Sequence, residues 1–452
     1  MRENYLLSFF AIRWLSVLCC TCALSAVSYG QSATTFRQLI DLNPVFANAH
    51  TGFTLYDVAG DTLLYEYNAE RYFVPASNLK LLTFYVSHRI LGNRMPAVYY
   101  RRTEGRTDVW GTGYPLLLHP EFGDYDELHP WLTAQRGPLI LHFPAAYEPP
   151  RYGAGWSWDD FSYGYVYERS SFPVYGNRLY LNLTPLDAFG ERELYGSPPE
   201  VATTLVQDSR QDRSITRREG SNQFTVGTSF YHPDNFPLQR ALSLTPAYTT
   251  DLVGQAFPQQ IVRMGDRPLP PRGEYERLDV SLPDTVYRKL LLDSDNYLAE
   301  QLLIQCAAAR YGVSDEERIL DFATDTLFAE LDLGRMRYAD GSGLSRYSLV
   351  QPRQLARIIL ALHREVGRER LLTLLPAGGL NGTLKRRFDN RPETYVWAKT
   401  GSLSGVVCVS GLVRTRTGRW LAFSFMHNNV VSGSTAYYRE MERILGWTYD
   451  HL

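Results

Sequence analysis

Lysine is nearly missing from this 452-residue chain: of 46 basic residues only four are lysines, at 80, 289, 385 and 399, and the rest are arginines. Cysteine is scarce too. Three of the five, Cys19, Cys20 and Cys22, fall in the first thirty residues, so the remainder cannot build a disulfide framework. The other two, Cys306 in "LLIQCAAAR" and Cys408 in "GVVCVSG", sit in apolar runs without metal-ligand spacing. Buried free thiols are expected there, with a single disulfide as the alternative in an oxidising compartment. Neither sign of charge dominates: the formal net charge is −2, which argues against a nucleic-acid partner. No Gly-x-Ser-x-Gly elbow and no His-Glu-x-x-His occur, so neither a conventional Ser-His-Asp hydrolase nor a zinc peptidase has support, and no metal or other cofactor is expected. There is no repeat at a fixed period and no low-complexity tract.

What is present is ordinary globular material, 44% hydrophobic and 21% charged, with length for about two to four domains. The opening "MRENYLLSFFAIRWLSVLCCTCALSAVSYG" has an N-terminal arginine, an apolar stretch and small residues near Gly30, the pattern of a secretory signal. Arg13 interrupts the stretch, so an uncleaved anchor is the alternative. Both readings imply export, and a soluble or loosely attached periplasmic protein is expected. Losing residues 1–30 would move the net charge to −3.

Residues 52–68, "GFTLYDVAGDTLLYEYN", alternate as two strands around an Ala-Gly-Asp turn, and "YFVPASNLKLLTFYVSHRIL" switches to a helical period after Pro75. Near the other end "YVWAKTGSLSGVVCVSGLVRTRTGRWLAFSFMHNN" reads as three consecutive strands, and "AYYREMERILGW" as a helix. Strands from both ends imply one antiparallel sheet flanked by helices, an α/β (α+β) arrangement. Residues 283–330 and 350–375 are helical in pattern. The middle is rich in Tyr, Pro and Gly, with short alternating runs such as "RLYLNL", and reads as a large, mainly β insertion of two small lobes. The expected divisions are a signal at 1–30, a catalytic domain split into 31–97 and 250–452, and the insertion at 98–249.

Three short motifs stand out. Ser77-x-x-Lys80 puts a hydroxyl and an amine on one helical face, within hydrogen-bond reach. Lysine differs from arginine in one decisive respect: it can lose its proton at neutral pH when burial and neighbours lower its pKa, whereas a guanidinium cannot. Lys289 and Lys385, each beside an arginine, read as solvated charges instead. Ser294-Asp295-Asn296 opens an apolar helix and, taken alone, reads most simply as an N-cap. Lys399-Thr400-Gly401 lies on an expected strand, and with four lysines in the chain a chance match to that triplet is expected only ~0.02 times.

In this order the three motifs are the signature of penicillin-binding proteins and class A β-lactamases. Ser77 and Ser294 are 217 positions apart, too far for a compact β-lactamase. With an insertion between them, the chain resembles the class C low-molecular-mass penicillin-binding proteins, the serine-type D-alanyl-D-alanine carboxypeptidase/endopeptidase family. "GWSWDDF" (155–161), "DGSGLSR" (340–346), "NGTLKRRF" (381–388) and "AKTGSLSGV" (398–406) look like motifs of that family, whereas "GTGYP" stands where the family usually has Gly-Asp-Pro.

The resemblance implies a penicillin-binding/β-lactamase-like transpeptidase fold and roles for particular residues. Ser77 would attack the terminal D-alanyl-D-alanine carbonyl with Lys80 as a neutral base, and Lys80 and Lys399 would depress each other's pKa. Ser294 would bridge the two lysines and protonate the leaving D-alanine, while Asn296 would hold the substrate amide. Lys399, Thr400, Gly401 and the Ser402 hydroxyl would form the wall that receives the terminal carboxylate, with the N–H groups of Ser77 and Ser402 as oxyanion hole. Trp156 and Asp159, three apart on an expected helical turn, would receive the zwitterionic end of the stem's diamino acid; core packing for Trp156 and Trp158 and capping for the aspartates is the alternative. Peptidoglycan stem peptides are the implied partners and β-lactams the implied covalent inhibitors. A β-lactamase-like hydrolase and a non-catalytic penicillin-recognising cell-wall protein are the competing readings. Oligomeric state, a homo-oligomer included, and the balance of carboxypeptidase against endopeptidase stay open.

Overall fold

Strands from the two ends of the chain share one sheet. In the computed structural model, which describes residues 34–211, 215–431 and 433–452, the order is Val396–Leu403, Val406–Arg414, Trp420–Asn428, His50–Asp57, Thr62–Tyr67. All its pairings are antiparallel, and the seam between the chain ends runs from His50 opposite Asn428 to Asp57 opposite Leu421. The expected signal at 1–30 lies outside the described residues.

Both faces of this sheet are covered, which is why Val406–Arg414 is buried at every position but its last and shows no polar alternation. One face carries the helix Thr435–His451, whose Tyr437, Met441, Ile444 and Leu445 pack with Phe53, Phe425 and Val409. The other face carries a helical layer that includes Lys80–Leu91, Asn296–Tyr311 and Pro352–Glu365. Each fully buried Leu or Phe in these layers contributes on the order of 1.5–3 kcal/mol. The antiparallel sheet flanked by helices is thus as expected.

The insertion is built on a second five-stranded sheet in the order Val262–Gly265, Leu139–His142, Arg106–Gly111, Arg94–Thr103, Glu276–Ser281. Two three-stranded sheets lie between its strands in the chain, 206–207 with 224–226 and 215–217, and 238–241 with 178–183 and 194–197. The division expected after 249 falls inside the helix Pro246–Ala256, and the strand that opens the large sheet pairs with the one that closes it at Ser281. The closing strands "VRMG" and "ERLDVS" are short and largely exposed, so composition does not tie them to the tyrosine-rich middle. Cys306 and Cys408 are free and buried. Among the described residues no helix is long and apolar enough to cross a membrane.

One buried cation joins the insertion to the helical layer. Arg178, in the strand Arg178–Leu183, donates from Nη2 to Asp295 Oδ2 at 3.0 Å, from Nη1 to Gln239 Oε1 at 3.1 Å and from Nε to the Gly176 carbonyl at 3.1 Å. Its guanidinium lies over the rings of Tyr167, Tyr180 and Tyr297. Burial alone would raise the Asp295 carboxyl, but Arg178 and the Leu298 amide hold it below its ordinary value. A depressed carboxylate adds stability above its unfolded pKa and loses it as pH falls through the folded one. Arg178→Met should therefore destabilise the protein by about 3–5 kcal/mol near neutrality, because Asp295 is left buried without its partner. Urea unfolding at pH 7 measures this, and the double variant with Asp295→Asn should recover part of the loss.

Candidate active site

After Pro75 the chain makes a 3₁₀ turn, Ala76–Leu79, before the α-helix Lys80–Leu91. With three residues per turn, side chains at i and i+3 eclipse, and Lys80 Nζ lies 3.0 Å from Ser77 Oγ. Ala76, just before the serine, is held at φ +47°, a left-handed conformation that a non-glycine residue adopts at some cost. Lys80 has no exposed surface and also donates to Asn296 Oδ1 at 2.6 Å and to the Ser342 carbonyl at 2.7 Å.

Burial brings Lys80 down to about 8, against the opposing pull of Asp340, Glu300 and Asp295. Lys399 is lowered well below its ordinary value, by burial first and by Lys80 second. Both amines are thus lowered, and the charge of Lys80 contributes to the lowering of Lys399.

The Ser294-Asp295-Asn296 run serves two purposes. Asp295 is the N-cap of Asn296–Tyr311, accepting from the Leu298 amide at 2.8 Å, so the capping reading holds for the middle residue. Ser294 stands at φ +61° and accepts from Lys399 Nζ at 2.9 Å. It makes no hydrogen bond to Lys80, so the expected bridge between the lysines is made on one side only. Asn296 takes the other side: its Nδ2 donates to the Tyr165 carbonyl at 2.8 Å, which turns Oδ1 toward Lys80. Its amide is engaged within the protein at both ends.

Opposite lies the strand Val396–Leu403. A Cβ on Gly401 would sit 2.6 Å from the Pro75 carbonyl oxygen and 3.0 Å from the Asn78 nitrogen, so glycine is what lets this strand close on the serine turn. Thr400 Oγ1 donates to Thr383 Oγ1 at 2.8 Å, and Ser402 is exposed and lines the cleft. The Thr400 hydroxyl therefore donates within the protein, where a contact with a carboxylate is expected of it.

These groups surround a cavity of about 470 Å³. Ser77, Ser294, Asn296, Ser402, Trp156 and Asp159 all line it, with Asp160, Tyr165 and Arg346. Lys80 and Lys399 lie buried beneath. Trp156 precedes rather than joins the 3₁₀ turn Trp158–Ser162, so the expected helical i, i+3 relation to Asp159 is absent although both reach the cavity. Trp158 is 77% exposed and neither aspartate caps the turn, which removes the core-and-cap alternative. A larger hollow of about 780 Å³ lies at the far end of Asn296–Tyr311, lined by Tyr99, Tyr275, Arg272 and Arg310, without a serine or lysine to react.

Residues 136–449 match the D-Ala-D-Ala carboxypeptidase 3 (S13) family. The chain belongs to that family. It is 22% identical to the D-alanyl-D-alanine carboxypeptidase DacB of Haemophilus influenzae over 85% of this chain and 86% of that one. It is 25% identical to a D-alanyl-D-alanine carboxypeptidase of an Actinomadura species over 88% and 82%. The crystal structure of Haemophilus influenzae penicillin binding protein 4 superposes with a TM-score of 0.73 at 20% identity, covering 91% of this chain and 99% of that one. That protein has also been solved in complex with a β-lactam. The resemblance carried by the three motifs is therefore borne out, and the protein is a serine-type DD-peptidase of the class C penicillin-binding group.

Within this S13 site, sequence reading missed two main-chain acceptors, the Ser342 carbonyl for the Lys80 amine and the Tyr165 carbonyl for the Asn296 carboxamide. A main-chain oxygen carries no residue-type signal, although Ser342 lies in the quoted "DGSGLSR". The role of Gly401 yields a test: Gly401→Ala should lower the acylation rate by about 10²-fold, the scale of a displacement near 1 Å in a reacting pair, while thermal unfolding stays cooperative. Stopped-flow acylation with a chromogenic cephalosporin reads it.

Proposed function

We propose that Ser77 is the acylated nucleophile and Lys80 its general base, acting on the D-alanyl-D-alanine ends of peptidoglycan stems and on D-alanyl cross-links, in the periplasm. One observation carries this: the partner set of Lys80. As an ammonium it donates three hydrogen bonds, to Ser77, Asn296 and Ser342. The Asn296 Oδ1 and the Ser342 carbonyl can only accept. When the amine is neutral they therefore take its two remaining protons, and the lone pair is left facing the Ser77 hydroxyl.

The steps follow. Ser77 Oγ bonds to the scissile carbonyl carbon as its proton passes to Lys80 Nζ, and the N–H groups of Ser77 and Ser402 receive the oxyanion. Collapse breaks the amide C–N bond. Ser294 delivers its hydroxyl proton to the departing nitrogen and takes one in return from Lys399, whose Nζ donates to its Oγ. Water then hydrolyses the ester; on this deacylation Lys80 returns its proton to Ser77 and the attacking water's proton restores Lys399. The leaving amine can be free D-alanine's or a cross-linked stem's, so one site supports carboxypeptidase and endopeptidase turnover. Lys399 receives the substrate's terminal carboxylate, which favours its charged form. A β-lactam carbonyl meets the same serine, and the relative solved with a β-lactam supports penicillin as a covalent inhibitor.

Asp159 and Asp160 line one side of the cavity and Arg346 is also in its wall. Carboxylate and guanidinium suit the ammonium and carboxylate of a diamino-acid end, with Trp156 as the apolar surface between.

Fluorescent penicillin followed by peptide mapping tests the core of this reading: the label should sit on Ser77, and a label elsewhere overturns it. Lys80→Arg should lower acylation by about 10²-fold or more, because the charge stays and the neutral state is lost. In the wild type the acylation rate should rise with pH and level off above about 8, where Lys80 loses its proton. Asp159→Asn should slow cleavage of stem peptides that end in a free diamino-acid centre about tenfold, with penicillin acylation nearly unaffected, as measured by chromatography of the released D-alanine.

A further inference from the structure

The carbonyl that faces the Lys80 amine belongs to a loop held from three sides. Ser342 N–H donates to Glu300 Oε1 at 2.7 Å, and Ser342 Oγ donates to Asp340 Oδ2 at 3.2 Å. Glu300 lies one helical turn after Asn296, so two residues on one face of Asn296–Tyr311 serve the same amine, one directly and one through the Ser342 peptide. Asp340 is fully satisfied: it also accepts from the amides of Gly343 and Ser345, from Ser348 Oγ and from Trp156 Nε1. Gly343, at φ +81°, lets the loop lie on the Ala76 carbonyl beside the serine turn.

Both acids are also reached from the insertion. Arg169 Nε stands 3.2 Å from Glu300 Oε2, too oblique for a hydrogen bond, and pairs with Glu316 beyond it. The Arg169 guanidinium lies 5.1 Å from the centre of the Trp156 ring, and the indole N–H of Trp156 reaches Asp340 at 2.9 Å.

We propose that Glu300 and Asp340 are positioning residues that aim the Ser342 carbonyl at the Lys80 amine, and that Trp156 and Arg169 couple this pair to the substrate-binding face of the insertion. The inference rests on Lys80 being the base. The groups facing Lys80 are Glu300 and Asp295 from the start of the helix, Asp340 from the loop and Lys399 from the strand, with Arg169 behind Glu300. Burial and Asp340 raise the Glu300 carboxyl, while Arg169 and the Ser342 amide oppose that. Negative charge here stabilises the ammonium, so removing it lets Lys80 become neutral at lower pH.

The test is the pH dependence of penicillin acylation in the full-length protein. Glu300→Gln keeps an acceptor for Ser342 N–H and removes the charge, so the acid limb should move to lower pH by about 0.5–1 unit with the label still on Ser77. Glu300→Asp keeps the charge but withdraws the oxygen, so acylation should slow about tenfold with the limb unmoved. A wild-type limb in Glu300→Gln, or equal rate losses in both variants without any shift, overturns the proposal. If Glu300→Gln does not fold, Trp156→Phe decides: it keeps a ring and loses the bond to Asp340, and penicillin carries no diamino-acid end to touch it. Slower penicillin acylation supports the coupling, and a wild-type rate and limb overturns it. A wild-type rate in Lys80→Arg would instead overturn the base assignment on which the inference rests.

Discussion

Everything near the cleft is arranged around one desolvated amine. Burying an ammonium without partners is costly, so Lys80 is either surrounded by acceptors or neutral, and its surroundings keep both states within reach. Three acceptors satisfy the charged form, three nearby acids favour it, and complete burial opposes it. Two of those acceptors cannot donate. With the amine neutral, its lone pair would therefore face Ser77, a direction set by the partners' chemistry and not by flexibility of the lysine stem.

The insertion takes part in that arrangement and is no separate attachment. Its Tyr165 carbonyl orients the Asn296 amide, its Arg178 compensates Asp295 in the cap of the same helix, and its Trp156 reaches Asp340. Lys289, expected to be a solvated charge, also joins the two parts, pairing with Glu121 of the insertion and at 3.1 Å with Asp293. Contacts from the insertion thus hold Asn296, Asp295 and Asp340 in place around the cleft.

Much of this was legible in residue letters. The scarcity of lysine singled out Lys80 and Lys399, the alternation at both chain ends announced the shared sheet, and the 217-position gap required an insertion. What stayed hidden was carried by main-chain atoms or by long-range partners. The carbonyls of Tyr165 and Ser342 look the same in any sequence. Glu300 sits within an apolar helix where only contact with Ser342 reveals its use. The Ser294 bridge was expected on both lysines because spacing says nothing about the left-handed turn that aims the hydroxyl at Lys399. The insertion's end near Ser281 was missed because its closing strands are polar and brief.

The seam of the main sheet has a consequence for how the molecule is assembled. Thr51 and His427 share a hydrogen bond across 376 positions of chain, and every residue of His50–Asp57 pairs with the strand Trp420–Asn428. Pairings so distant in sequence carry a large loop-closure entropy and belong to high contact order, which slows folding. During synthesis His50–Asp57 lacks this partner until Trp420–Asn428 has emerged. The strand Trp420–Asn428 is therefore the one that joins the early strands to Val406–Arg414 and closes the sheet into a single unit.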